Sequence, residues 1–414
     1  MSLTKVSYSM INGAPVNVKD FGAIGDGIAD DTVALQAARD HIALTGQQLV
    51  FPAGTYKYTV SPNWAIQDAQ ITAQGEVRLI CTGTGHAVIF DAGPNAGDFI
   101  YNVNFGRFIV AASSSGLDGV YLRSVHHSVI DVKVNGSGTG RAGLRVEFAV
   151  CTSFPNFTVS VNEGDMPPAG SSTPYYGMVL TQRLTGESAS YCVFNTPVIE
   201  GVTEGIFLDY ALGNLFLGGT SEGNSQYGIF LTPNASNTKM FGTDFEANGS
   251  PDIYCQGYSN SFIECDTSHE VVFDLNARTN TLQGGNHNSI AIDASAPRNM
   301  ILNVRYNKLN NGATLVDNGA ETRLSNTLNV GAGVMSDAVP QAFVIAVGAS
   351  PFTYTNTRGT DVLALVEGGT IIDQTFTFAG ASRNVPYPSV IVMPPESSMT
   401  IAYTTAPNFT VYRK

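Results

Sequence analysis

The sequence predicts an all-β solenoid of stacked coils. Three observations carry that expectation. Glycine supplies 43 of 414 residues, which marks a chain rich in turns. Only 13% of residues are charged while 43% are hydrophobic. Ordinary soluble domains are roughly 25% charged. A short pattern of a small or polar residue, an aliphatic, a variable residue and an aliphatic also recurs along the chain. It starts at Ala87, Gly119, Gly143, Gly177, Gly205 and Gly228, with variants at Asp252, Glu270 and Ser289. Successive starts lie 18 to 34 residues apart. Units of that size cannot bury an apolar side alone, so stacking neighbours must create the core.

The elements follow in order. Residues 1–15 read as a lead-in. Asp30 and Asp31 are candidate N-caps for a helix over about 30–45, whose Leu35, Ala38 and Ile42 form one apolar stripe. Gly46 supplies its stop. LVFPAGTY at 49–56 reads as a strand and turn. The coil then extends to 331, with residues 332–340 as a linker. Residues 341–414 hold apolar runs broken by Gly, Pro and Asn, which predicts a C-terminal β-sandwich.

Composition excludes several classes. High hydrophobicity and low charge exclude disorder. A net charge of −13 with no basic run argues against nucleic acid and anionic membranes. No run of 18 apolar residues predicts a membrane helix, and the first residues lack a signal-peptide core, so synthesis in a cytoplasm is expected. Five scattered cysteines, Cys81, Cys151, Cys192, Cys255 and Cys265, read as buried free thiols. Gly138–Gly143 spells GxGxxG, but a strand pattern follows instead of a helix, so no dinucleotide site is implied. No His/Cys cluster has zinc spacing, and no metal or cofactor is expected.

Candidate chemistry lies in residues 194–293. Aligning Ile206, Ile229, Ile253, Val271 and Ile290 puts Phe207, Phe230 and Tyr254 in one outward column. Tyr121 joins it if the register extends back. Such a column is a subunit interface, a sugar platform or a structural ladder, and the interface is the favoured reading. Glu222 and Glu246 each precede their anchor isoleucine by seven residues, and Glu200 precedes its own by six. They form a second column, with Asp244 two residues before Glu246 and Asp266 five before Val271. Coil upon coil, such acids stand about 4.8 Å apart. Like charges at that spacing need a pKa shift, a cation or a ligand to compensate, unless they are solvated turn residues. Glycoside hydrolysis needs two carboxyl groups, about 5 Å apart for retention or about 6.5–9.5 Å for inversion.

Glu264, His269 and His287 border the strip, and His287 and Glu264 are substrate-binding candidates with Asn224 and Asn248. A plain surface histidine is the competing reading of His287. Lyase chemistry needs a Lys, Arg, His or Tyr base and a neutraliser for a uronate. Residues 194–293 carry only Lys239 and Arg278 as strong bases, which ranks lyase below hydrolase.

Three stretches carry a resemblance. VNVKDFGAIGDGIADDT at 16–32, followed by FPAGTY at 51–56, resembles the opening segment of pectate-lyase-like right-handed parallel β-helices. TKVSYSMI at 4–11 is similar to the lead-in of bacteriophage tailspikes of that superfamily. VGASPFTYTNT at 347–357, with Gly368-Gly-Thr and Met399-Thr-Ile-Ala-Tyr, is similar to a small β-domain that closes many phage tail proteins. The resemblance implies a homotrimer on a virion tail, beside other tail proteins, that binds and often cleaves a bacterial surface polysaccharide such as O-antigen or capsule. A receptor-binding or structural tail protein without catalysis is the alternative. No separate head-binding domain is expected ahead of the coil.

Overall fold

The computed structural model describes residues 13–160, 170–249, 251–306, 315–325, 327–329, 334–336, 342–357 and 361–413. Its first unit is a parallel β-coil with three faces. The first face stacks Ser153–Pro155, Val193–Asn195, Leu215–Leu217, Lys239–Phe241, Ser261–Ile263, Thr281–Gln283, Met300–Leu302 and Arg323–Ser325. The second face stacks Thr158–Ser160, Val198–Glu200, Thr220–Glu222, Asp244–Glu246 and Asp266–Thr267. In the earlier coils single long strands, such as Asn104–Ala112 and Val129–Gly136, supply both of these faces.

The third face carries the recurring pattern. Val88, Val120, Leu144, Met178, Ile206, Ile229, Ile253, Val271, Ile290 and Leu315 pair in one continuous parallel register. The alignment read from the sequence is therefore the one the chain adopts. The glycine at most of these starts has a steric cause. A Cβ on Gly177 would stand 2.3 Å from Ile199 Cγ2, and one on Gly205 would stand 2.3 Å from Ser221 Oγ. The corner between second and third faces is thus closed to side chains by the inward residues of the second face.

The core follows from the stacking. Phe154, Phe194 and Phe216 stack at 4.6 and 4.7 Å, with ring planes within 6° and 13° of parallel. Met240 and Phe262 continue that column in register. Helix Thr32–Thr45 adds Leu35, Ala38 and Ile42 to the same core at its N-terminal end. Gly46, left-handed at φ 67°, ends it by donating its N–H to the Ile42 carbonyl. The two candidate caps differ. Asp30 Oδ1 accepts from the Thr32 N–H at 2.9 Å. Asp31 occupies the cap position without capping, because its carboxylate accepts from the N–H groups of Ile24 (2.6 Å) and Gly25 (3.1 Å).

The C-terminal unit has two four-stranded antiparallel sheets. Val362, Ala364, Val366 and Val411 from one meet Phe376, Met399 and Ile401 from the other in a separate core. Most of the lead-in and linker, residues 1–12, 332, 333 and 337–340, lie outside the described residues; within the linker span, Val334–Ser336 pairs antiparallel with Thr327–Asn329. Four cysteines are buried as expected, but Cys151 is exposed, because it sits left-handed at φ 53° in the bend after a strand. No described helix is long and apolar enough to cross a membrane.

Candidate active site on the second face

Each short strand of the second face begins after a two-residue bend. The first bend residue is left-handed in successive coils: Thr196 (φ 47°), Gly218 (65°), Gly242 (63°), Glu264 (52°) and Gly284 (68°). This repeated bend sets the phase of the strand that follows. The central residues Ile199, Ser221, Phe245 and Thr267 point inward and are buried. Their neighbours on either side therefore point out.

Two outward columns result. One runs Val198, Thr220, Asp244, Asp266. The other runs Ser160, Glu200, Glu222, Glu246. Three glutamates thus stand on neighbouring strands in strict register. Glu200 and Glu222 are half-buried, and Glu246 is exposed. Ser160 Oγ donates to Glu200 Oε2 at 2.8 Å, and Thr220 Oγ1 donates to Glu222 Oε2 at 3.3 Å. Burial, then the charge of Glu200, pushes the Glu222 carboxyl above its ordinary value of 4.5, and Glu246 adds to this from the other side. Glu200 also lies within hydrogen-bonding reach of it. The charges that raise Glu222 are both carboxylates.

The profile of the rhamnogalacturonase A/epimerase, pectate lyase-like family matches residues 15–241, more than half of the chain. The chain belongs to this family. Curated relatives match over a short stretch. Mannuronan C5-epimerase AlgE2 of Azotobacter vinelandii is 45% identical over 74 residues, which are 18% of this chain and 7% of that protein. Alginate lyase 7 of the same organism is 42% identical over 74 residues, 8% of its length. The chain thus spans well under a tenth of these relatives. Among solved structures, ORF18 of Geobacillus virus E2 is 15% identical, with 97% of this chain and 78% of that one covered and a TM-score of 0.51. The enzymatically active domain of tailspike protein 2 of bacteriophage CBA120 is 12% identical, with 98% and 77% covered and a TM-score of 0.45.

Within this pectate lyase-like coil the other candidates fall in different places. Asp266 pairs with Asp244 and lies outside the glutamate column. Its Oδ1 accepts from the Asn286 N–H at 2.6 Å. Glu264 is exposed in its left-handed bend and lies over the next bend, where the Gly285 N–H reaches Oε2 at 3.3 Å.

Three expected sugar contacts are corrected by burial. His287 is 0% exposed and lies between Thr267 Oγ1 (3.2 Å) and the Gly284 carbonyl (3.1 Å). Asn224 and Asn248 are buried in the next corner. Asn224 Oδ1 accepts from the Val202 N–H, and its amide donates to Asn248 Oδ1 at 2.7 Å. Buried corners leave backbone groups that no strand pairs, and these side chains satisfy them.

Ser160 escaped the sequence reading. It lies 40 residues before Glu200, so a long coil hides the period. The aromatic column is real but interrupted. Tyr121 shares its register with Arg145 and Val179 between it and Phe207. Tyr121 is 7% exposed, stacked on His86 at 4.5 Å and donating to Glu147 at 2.7 Å, so it is closed to any partner. Among the described residues no three His, Cys, Asp or Glu side chains are placed to hold a metal ion.

Proposed function

We propose that this chain binds a bacterial surface polysaccharide along the second face and hydrolyses it internally, as part of a phage tailspike. The observation that carries the reading is the in-register column Glu200, Glu222, Glu246, whose middle carboxyl is biased toward its protonated form. A carboxyl held protonated by burial and like charge is suited to protonate a leaving oxygen. Glu222 is the general acid. Glu246, exposed on the next strand, is the nucleophile. Adjacent strands place such a pair about 4.8 Å apart, close to the roughly 5 Å used by retaining glycosidases. Glu200, fixed by Ser160, holds the Glu222 proton in the resting state. The column also disfavours a polyuronate, whose charges would meet carboxylates of like sign.

The experiment is size analysis of purified host polysaccharides after incubation. Wild type shortens its polymer; Glu222→Gln and Glu246→Gln bind it and leave it intact. Cleavage by both variants at the wild-type rate rejects the assignment, and a wild type that shortens no host polysaccharide rejects hydrolysis.

A further inference from the structure

Beyond the second face, the chain turns through residues 201–203 and 223–226 into the third. Glu204 opens a third-face strand just past that corner. It is 9% exposed, and its Oε2 has no hydrogen-bond partner. Oε1 faces the Tyr175 hydroxyl at 3.4 Å. Glu204 pairs in register with Tyr176 of the preceding coil, and the Gly205 N–H donates to the Tyr227 carbonyl of the following one. Around it the aromatic rings are continuous. Tyr175 meets Tyr176 edge to face at 4.7 Å, Tyr176 lies 5.6 Å from Phe207, and Phe207 lies 5.5 Å from Phe230. Tyr227 lies 5.4 Å from Phe230. All five rings are half-buried.

We infer that Glu204 and these tyrosines form a second sugar subsite, taking one uncharged, hydroxyl-rich ring of the same polymer. The inference rests on the proposed polysaccharide binding. A buried carboxyl oxygen without a partner is costly, and a ligand hydroxyl satisfies it. Half-buried tyrosines present an apolar face to the C–H side of a sugar and a hydroxyl to its rim. Burial pushes the Glu204 carboxyl upward, which fits a pocket that excludes water when filled. The basic group whose charge reaches Tyr176, Arg145, is held by Asp118 at 3.0 Å, and the Glu204 carboxyl itself disfavours an acidic sugar. Glu204 lies four positions after Glu200, at most roughly 13–14 Å of extended chain. A polymer seated here therefore continues round the corner onto the glutamate column.

The test measures binding of dextran, chitin and alginate hexasaccharides by calorimetry, in Glu222→Gln so that no cleavage intervenes. One of the two uncharged hexamers binds and alginate does not. Added Tyr227→Ala weakens that binding about tenfold. Added Glu204→Gln, which keeps the shape of the side chain, weakens it several-fold, and sedimentation shows the assembled mass unchanged in both. The inference is overturned if both variants bind like their parent, if neither uncharged hexamer binds, or if the variants change the assembled mass, which would make the strip a subunit interface. Loss of the subsite leaves hydrolysis by the wild type unaffected as a reading. An uncut but bound polymer removes hydrolysis and leaves the subsite.

Discussion

At one corner of the coil Asn260, Asn280 and Asn299 occupy successive turns, while on the second face Glu200, Glu222 and Glu246 do the same. The amides complement one another. Asn280 Oδ1 accepts from the Asn260 N–H at 2.8 Å, and Asn299 Oδ1 accepts from the Asn280 N–H at 2.9 Å. Their amide groups donate to the Gly257 and Ala277 carbonyls, each at 2.9 Å. A group that both donates and accepts gains from standing above its own copy. An ionised carboxylate only accepts, and its copy repels it. The same stacking therefore stabilises one ladder and strains the other, and strain without structural benefit is the ground for proposing the second ladder as the functional one.

Breaking the proposed catalytic ladder has the largest expected effect. Glu246→Gln lowers the depolymerisation rate by about 10²–10⁴-fold with the assembly intact, checked by release of reducing ends. Breaking the amide ladder acts on stability instead. Asn280→Leu strands the Asn260 N–H and the Gly257 carbonyl, each costing about 1–3 kcal/mol, and lowers the midpoint of urea unfolding.

A third contrast is in pH. The Glu222 carboxyl is raised in the fold, so its protonated form stabilises fully below 4.5 and that contribution is lost as pH rises through the raised value. Glu222→Gln therefore gains Tm relative to wild type as pH rises from 4 to 8; a constant difference contradicts this. His126 works the other way. Burial, with His127 and Arg183, pushes it down to about 4 from 6.5. Its neutral form stabilises fully above 6.5, and that contribution fades as pH falls toward 4. His126→Gln thus narrows its stability gap to wild type on acidification. The smallest effect is at Cys151, exposed on the coil, where Cys151→Ser changes unfolding free energy by less than about 0.5 kcal/mol.

The third face was legible because most strand starts are glycines that the neighbouring corner requires, as at Gly177 and Gly205, and two inward apolar residues follow each start. The Glu222 and Glu246 register was legible because the turns after them have equal length before Ile229 and Ile253. Asp266 escaped correct placement because its turn is shorter, so counting back from Val271 gave no secure column. Asn224, Asn248 and His287 were misread for another reason. A polar residue at a corner reads as exposed, and only coordinates show that the corner backbone turns it inward to serve unpaired N–H and carbonyl groups. Ser160 was hidden by the long coil that follows it. Glu204 was passed over because it stands outside any acidic column, and its surroundings come from Tyr175 and Tyr227 of other coils.

The central claim is that Glu222 acts in its protonated form, raised first by burial and then by the Glu200 charge beside it. The most direct measurement is the pH–rate profile of depolymerisation for wild type and Glu200→Gln. Removing the Glu200 charge lets the Glu222 proton leave more easily, so the alkaline limb of the profile shifts to lower pH. An alkaline limb that stays in place, with cleavage retained, contradicts the account.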